Sequence, residues 1–259
     1  MEKFNIPGMW DYLGDMENML VDLPVYVNNP FTPEQVEELV SIIEGHKQRE
    51  VEYFQIPIEG EELRGEGWYD PKKVHHMSRE LIEFEAPKHI EETMDAIIKP
   101  MYNGELRLAH YQYIDYDLKH GDGRYAPSLP VHIDSSEDIM TFNYMLDGNI
   151  EWDLYIDEKC YKLEKGQAIV FSALNQPHFR PKRHWKEGEF VKIISFDYSP
   201  LHDFRFTGGD YLLDPIKYPE NRKAYVEKVN EHPKMQSSWM LYNKLGQDIG
   251  IPDDVHGTF

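Results

Sequence analysis

From Leu106 the chain reads LRLAHYQYI, and four further runs of the same character follow: IMTFNYML (Ile139–Leu146), WDLYI (Trp152–Ile156), QAIVF (Gln167–Phe171) and EFVKIISFDY (Glu189–Tyr198). Aromatic and β-branched residues dominate them, and the prevailing period is two, as on strands with a buried face. Asp147-Gly148, Asp157-Glu158 and Lys165-Gly166 lie between the runs and supply turns. Short strands at close spacing, with no helical segment between them, predict a sandwich or jelly roll and argue against a parallel α/β sheet.

Helical signals lie on either side. Thr32-Pro33-Glu34-Gln35 combines an N-cap threonine, a proline suited to the first helical position and a glutamine placed to close a capping box. Val36, Leu39, Val40 and Ile43 then recur at helical spacing, and Gly45 ends the run. A second helix is predicted from Pro87 to Lys99, with Ile90, Met94, Ile97 and Ile98 on its apolar side and Pro100 as its stop. Beyond Pro200 the chain is loop-rich, with helices expected over Pro219–Asn230 and Ser237–Leu245. The expected organisation is one mainly β domain with flanking helices. A helical region over 1–104 braces the core, the β core spans 105–199, and a C-terminal loop and helices over 200–259 pack on it.

The 259 residues suffice for a well-buried domain, and 41% hydrophobic with 13% aromatic content supplies its core. With 27 Lys+Arg against 47 Asp+Glu the formal charge is −20, which disfavours nucleic acid, a partner that requires a basic footprint. Such acidity makes a soluble, self-repelling surface, and as a preference it suits a basic peptide. Cys160 stands alone, so an intrachain disulfide and the CxxC zinc patterns are excluded. The opening MEKFNIPGMWDYLGDMENML has acids where a signal peptide has a basic region. No stretch approaches the roughly twenty apolar residues of a membrane helix. The expectation is a cytoplasmic protein acting on a small molecule or a peptide.

His132-Ile-Asp134, with His178 far downstream, is the constellation with chemical content. Two imidazoles and a carboxylate can cap one face of Fe(II) and leave positions open for a co-substrate and O2. An HxD pair alone is weak, because roughly one is expected by chance, and His120-Gly-Asp122 is a second. Context separates them. His120 lies in LKHGDGRYAP, a glycine-rich loop with little to hold a ligand rigidly, whereas His132 and Asp134 stand at a strand edge. Positions i and i+2 of a strand face the same way. His184, the rival of His178, sits among Lys182, Arg183 and Lys186, cations that oppose a metal. The expected metal ligands and catalytic group are therefore His132, Asp134 and His178.

In EFVKIISF, Lys192 shares a face with Phe190, Ile194 and Phe196. A lysine among apolar side chains is costly unless paired, and a bound carboxylate would pair it; a snorkelling lysine explains the pattern equally. Arg180 and Arg183 are further candidates for that carboxylate, with solvated loop charges as the alternative. Tyr111 and Tyr144, on neighbouring predicted strands, are candidates to donate phenolic hydrogens to it, or to pack in the core.

The central segment resembles the Fe(II)/2-oxoglutarate-dependent oxygenase superfamily, nearest to its prolyl-hydroxylase-like branch. The matching pieces are Tyr111 with the glycine-bearing loop after it, YAPSLPVHID ending in His132-Ile-Asp134, FNYMLDG, LEKGQAIVF, QPHFRP with His178, and GEFVKIISFDY. They cover Leu106 to Tyr198; PVYVNNPFTPEQVEELVSII resembles the helix that precedes this domain. The resemblance implies a double-stranded β-helix, a jelly roll whose mouth holds iron on His132, Asp134 and His178. It also implies a basic residue on a late strand, assisted by a tyrosine, at the distal carboxylate of 2-oxoglutarate. Gly188-x-Phe190 stands where that pattern has Gly-x-Arg or Gly-x-Lys, and an inserted turn through KRHWKEG would bring Lys192 to the place. The implied reaction is hydroxylation of a C–H bond by O2, with 2-oxoglutarate leaving as succinate and CO2. The implied substrate is a prolyl residue of a protein, an amino acid or another small molecule. A cupin-type metal enzyme that does not use 2-oxoglutarate, and a metal-free jelly-roll binding protein, are the alternatives.

Overall fold

The computed structural model describes residues 18–46, 50–57, 74–120, 127, 129–132, 139–157, 159–173, 176, 178–181 and 183–200. Along them run β1 (Val25–Asn28), α1 (Pro33–Gly45), β2 (Glu50–Pro57), β3 (Val74–Glu83), α2 (Lys88–Ile98), β4 (Leu106–Asp117), β5 (Leu129–His132) and β6 (Met140–Gly148). They continue with β7 (Leu154–Ile156), β8 (Lys159–Tyr161), β9 (Gln167–Phe171), β10 (His178–Arg180) and β11 (Phe190–Pro200). Short 3-10 turns follow α2 and β4.

The strands form two antiparallel sheets, a large one in the order β1-β9-β6-β11-β4-β3-β2 and a small one in the order β5-β10-β7-β8. From β4 to β11 the chain passes back and forth between the sheets, the path of a jelly roll. The fold is mainly β with flanking helices, as the alternation in the central segment predicts.

Alternation also divides the large sheet into two faces. Ile194, Phe196 and Tyr198 of β11, Phe142 and Tyr144 of β6, and Val170 of β9 face outward, where Leu39 and Ile43 of α1 and Ile90, Met94 and Ile98 of α2 close over them. Phe31, just before α1, sets its ring edge-on to Tyr144 at 5.1 Å and lies 5.8 Å from Phe196. Each such ring or branched chain taken from water is worth roughly 1.5–3 kcal/mol. The intervening residues Val191 and Ile193 of β11, Ile114 and Tyr116 of β4, and Ile169 and Phe171 of β9 face inward. There they meet Leu129, Leu154 and Ile156 of the small sheet.

The first helix begins as its sequence dictates. Thr32 Oγ1 accepts from the Gln35 amide at 3.3 Å while Gln35 Oε1 accepts from the Thr32 amide at 2.9 Å, so both halves of the capping box are made. Gly45 is its last residue, and α2 gives way at Ile98 to the 3-10 turn that contains Pro100. At the expected Lys165-Gly166 turn, Gly166 takes φ +86°, a conformation that a Cβ would strain.

One expectation needs correction. The region before residue 105 is not only helical, because it contributes β1 to one edge of the large sheet and β3 with β2 to the other. Those additions pair backbone groups that β9 and β4 would otherwise leave open. His178, downstream of the QAIVF strand, opens a strand of its own in the opposite sheet. The helices expected over 219–230 and 237–245 lie outside the described residues. No helix among the described residues is long and apolar enough to cross a membrane.

Candidate active site

β10 is the middle of the site. Its register sets His178 directly opposite His132 of β5 on one side and opposite Ile156 of β7 on the other. Opposed residues of an antiparallel pair occupy one sheet face with Cβ atoms about 4.5–5.5 Å apart. Pairing alone therefore brings the two histidine positions together. Asp134 lies outside the described residues.

The His178 side chain points between the sheets. It is 4% exposed, and its ring lies 4.9 Å from that of Phe171 on the inner face of β9. Its Nδ1 donates to the Gln176 carbonyl at 3.1 Å. A carbonyl only accepts, so Nδ1 carries the proton, and in the neutral ring Nε2 is the nitrogen with the lone pair.

Two residues on, Arg180 is 3% exposed and stacks over Trp152, its guanidinium carbon 5.3 Å from the ring centroid. Nη1 donates to the Trp152 carbonyl, whereas Nε and Nη2 have no hydrogen-bond partner among the described residues. Burial pulls the guanidinium down to about 10, and the nearby Tyr116 and Asp153 do not offset it. It remains a cation at neutral pH. An arginine held this way has two donor nitrogens to offer and an uncompensated charge, the condition a carboxylate relieves. The pocket around it is aromatic: Trp152 stands edge-on to Tyr116 and to Trp185, both at 5.0 Å. Arg180 is thus a buried strand residue and not a solvated loop charge. Arg183 pairs with Glu189 at 2.8 Å instead, and His184 is exposed.

The other expected carboxylate ligands stand elsewhere. Lys192 does share a face with Ile194 and Phe196, but that is the outer face, which α1 and α2 cover. Its ammonium lies 5.0 Å from the Phe190 ring, and its register partners are Asp115 and Asp147. Tyr111 and Tyr144 are opposite Phe196 and Ile194, so they too face outward. The Tyr111 hydroxyl donates to the Glu91 carboxylate of α2, and Tyr144 packs on Phe31. Burial raises the pKa of both phenols, and Glu91 raises that of Tyr111 further. The reason for the correction is which face the helices cover: α1 and α2 pack on the set that contains Ile194, Phe196, Tyr111 and Tyr144. The tripeptide His178-Phe179-Arg180 carried the missed signal, since positions i and i+2 share a face.

His120 belongs to a second cluster. It is held firmly, with Nε2 donating to Asp115 Oδ2 at 2.9 Å and Nδ1 3.9 Å from Glu80 Oε1, which corrects the expectation of a loose loop histidine. Glu80, Asp115 and His120 each bring a potential ligand atom within 4.8 Å of the others. Lys119 already sits 3.2 Å from Asp115 and 2.9 Å from Asp117. Its ammonium supplies the positive charge that an ion would bring, so the cluster reads as a charge network. Register with Lys192 sets Asp115 on the outward side, across the sheet from His178.

No family model and no curated protein sequence matches the chain. Many solved structures of 2OG-Fe(II) oxygenases, prolyl hydroxylases among them, are similar to it. One is a 2OG-Fe(II) oxygenase family oxidoreductase from Burkholderia pseudomallei, 12% identical, covering 75% of this chain and 92% of that one with a TM-score of 0.43. The non-haem α-ketoglutarate-dependent epimerase SnoN of nogalamycin biosynthesis is 9% identical over 74% of this chain and 83% of its own, at 0.48. The viral collagen prolyl hydroxylase of Paramecium bursaria Chlorella virus-1 is 10% identical over 70% and 97%, at 0.43.

Proposed function

We propose that this protein is an Fe(II)- and 2-oxoglutarate-dependent oxygenase that hydroxylates a C–H bond of a prolyl residue, an amino acid or another small substrate. The observation that carries the reading is Arg180, a buried guanidinium whose Nε and Nη2 have no partner among the described residues, two positions from a histidine that is itself cross-strand to His132. A metal-free jelly-roll protein has no use for such a cation, and a cupin-type enzyme without 2-oxoglutarate has no dicarboxylate to place on it. The donor set fits the group: two imidazole positions in register suit a metal, and Nε and Nη2 suit a carboxylate.

In this reading His132, Asp134 and His178 hold the iron, and Arg180 takes the distal carboxylate of 2-oxoglutarate. Iron and 2-oxoglutarate, when bound, supply the electrons that activate O2 toward a C–H bond. The chain's own part is placement. Gln176 keeps the His178 proton on Nδ1, and Trp152, Trp185 and Tyr116 keep water from the Arg180 end, which strengthens its charge pairing. The lone, free Cys160 is compatible with a cytoplasmic setting.

The test is anaerobic addition of Fe(II) and then 2-oxoglutarate, watching for the visible charge-transfer band of the chelate. We expect the band in the wild type and its loss in His178→Ala. Iron binding without the band overturns the 2-oxoglutarate assignment in favour of the cupin-type enzyme. No iron binding leaves a metal-free binding protein.

A further inference from the structure

We infer that Gln176 is a positioning residue for His178, an inference that rests on the iron site proposed above. Gln176 is 3% exposed and uses every polar group it has. Its amide N–H donates to the Ser172 carbonyl at 2.7 Å, and its Oε1 accepts from the Ser172 amide at 2.9 Å, closing the connection between β9 and β10 on itself. Its Nε2 donates to the Leu23 carbonyl at 3.2 Å, just before β1, and to Asp157 Oδ2 at 2.9 Å, just after β7. One side-chain amide therefore ties together segments from three places in the chain. Its own carbonyl is left aimed at His178 Nδ1.

The consequence is chemical as well as mechanical. A ligating histidine needs its remote N–H held, which sets the tautomer and the ring orientation. Here the holder is a main-chain carbonyl, and the peptide plane that carries it is oriented by the amide two bonds of the network away. Removing the amide frees the plane, lets the Nδ1 bond lengthen and allows the Nε2–H tautomer, which cannot ligate through Nε2. A residue that only filled space would change stability without touching the tautomer.

The experiment is Gln176→Met, which keeps length and removes all side-chain hydrogen bonds. Fe(II) affinity is read by anaerobic titration, and the His178 tautomer by 15N shifts of the metal-free protein. We expect the variant to bind Fe(II) roughly 10–100-fold more weakly, the range for lost partners of metal-ligating histidines, with part of His178 moving to the Nε2–H form. Wild-type affinity and an unchanged tautomer in the variant overturn the role of Gln176 and leave the iron site standing. Absence of Fe(II) binding by the wild type overturns the iron site itself. Should Gln176→Met not fold, Asp157→Gly replaces it: Asp157 has φ +51°, which glycine accepts, and the change removes the acceptor at the outer end of the clamp. A severalfold loss of Fe(II) affinity supports the inference there, and none overturns it.

Discussion

The outer and inner faces of the large sheet are made from alternate residues of the same strands, yet they are finished differently. On the outer face Phe142, Tyr144, Ile194 and Phe196 meet side chains of α1, α2 and Phe31, and most polar groups find partners, as Tyr111 finds Glu91 and Tyr198 finds Asp95, although one carboxylate oxygen of Asp115 has none among the described residues. On the inner face and the small sheet opposite, Thr141, Ser199, Arg180 and Trp185 keep buried polar atoms without a partner among the described residues. Buried polar groups are normally satisfied, and the exceptions ask for an explanation. The difference teaches where side chains complete the packing; under the proposed function, stability is concentrated on one face and the chemistry would fall on the other.

The sharpest way to break this comparison is to damage the stable face and watch the other. Phe142 is fully buried, with Phe31 and Phe196 rings about it at 6.2 and 6.0 Å. Phe142→Ala should cost about 3–5 kcal/mol in chemical denaturation, with 2-oxoglutarate affinity of the folded protein unchanged. A matching loss of affinity would mean that the two faces are not separable. The converse change is Arg180→Met. We expect 2-oxoglutarate to bind roughly 10–100-fold more weakly, the loss of one charge-assisted contact, while stability is unchanged or rises because a half-satisfied buried cation has gone. Lys192→Met should alter that affinity by less than about twofold. If calorimetry ranks the two the other way, the carboxylate belongs on the outer face after all.

Those two cations also mark what could be read without coordinates. Alternation in EFVKIISFDY sorts its residues into two sets correctly, and Lys192 does fall with Ile194 and Phe196. Nothing in the alternation says which set the helices cover, because that depends on α1 and α2 arriving from elsewhere in the chain. Strand β10, only three residues long, is too short to display any period. Its neighbours β5 and β7 are distant in sequence, so Arg180 looked like part of a loop. Helix α1 was legible to the residue because its cap is made of adjacent side chains. The register sets His178 opposite His132, and the metal role expected of the two belongs to the proposed function.

A smaller effect separates the outward charge network from a metal site. Burial pushes the Asp115 carboxyl up, but hydrogen bonds and charge from His120 and Lys119 outweigh it and hold it below its ordinary value. A group depressed in the folded state adds stability above its unfolded pKa and loses it as pH falls through the folded one. Asp115→Asn should therefore cost about 1.5 kcal/mol near neutral pH, with the gap to wild type closing as the medium becomes more acidic than the usual carboxylate range. Iron content should not change. Loss of iron in this variant, with His178→Ala retaining it, would move the metal to Glu80, Asp115 and His120.

The smallest expected effect tests whether the start of α1 matters only to the face it covers. Thr32→Ala removes the hydroxyl that accepts from the Gln35 amide but leaves Gln35 Oε1 free to accept from the main-chain amide of residue 32, so half of the capping box survives. The cost should be about 1 kcal/mol, the usual value for a lost N-cap, read as a lower denaturant midpoint with an unchanged slope. Thr32→Ser, which keeps the acceptor, should recover most of it. Gln35 also reaches Thr93 of α2 at 3.1 Å, so a loosened first turn acts first on the contact between the helices. Leu39 and Ile43 meet only the outer cluster, and the sheet stands between them and β10. Fe(II) and 2-oxoglutarate affinities should therefore be those of the wild type; a shift in either would show that strain at the helix cap crosses the sheet.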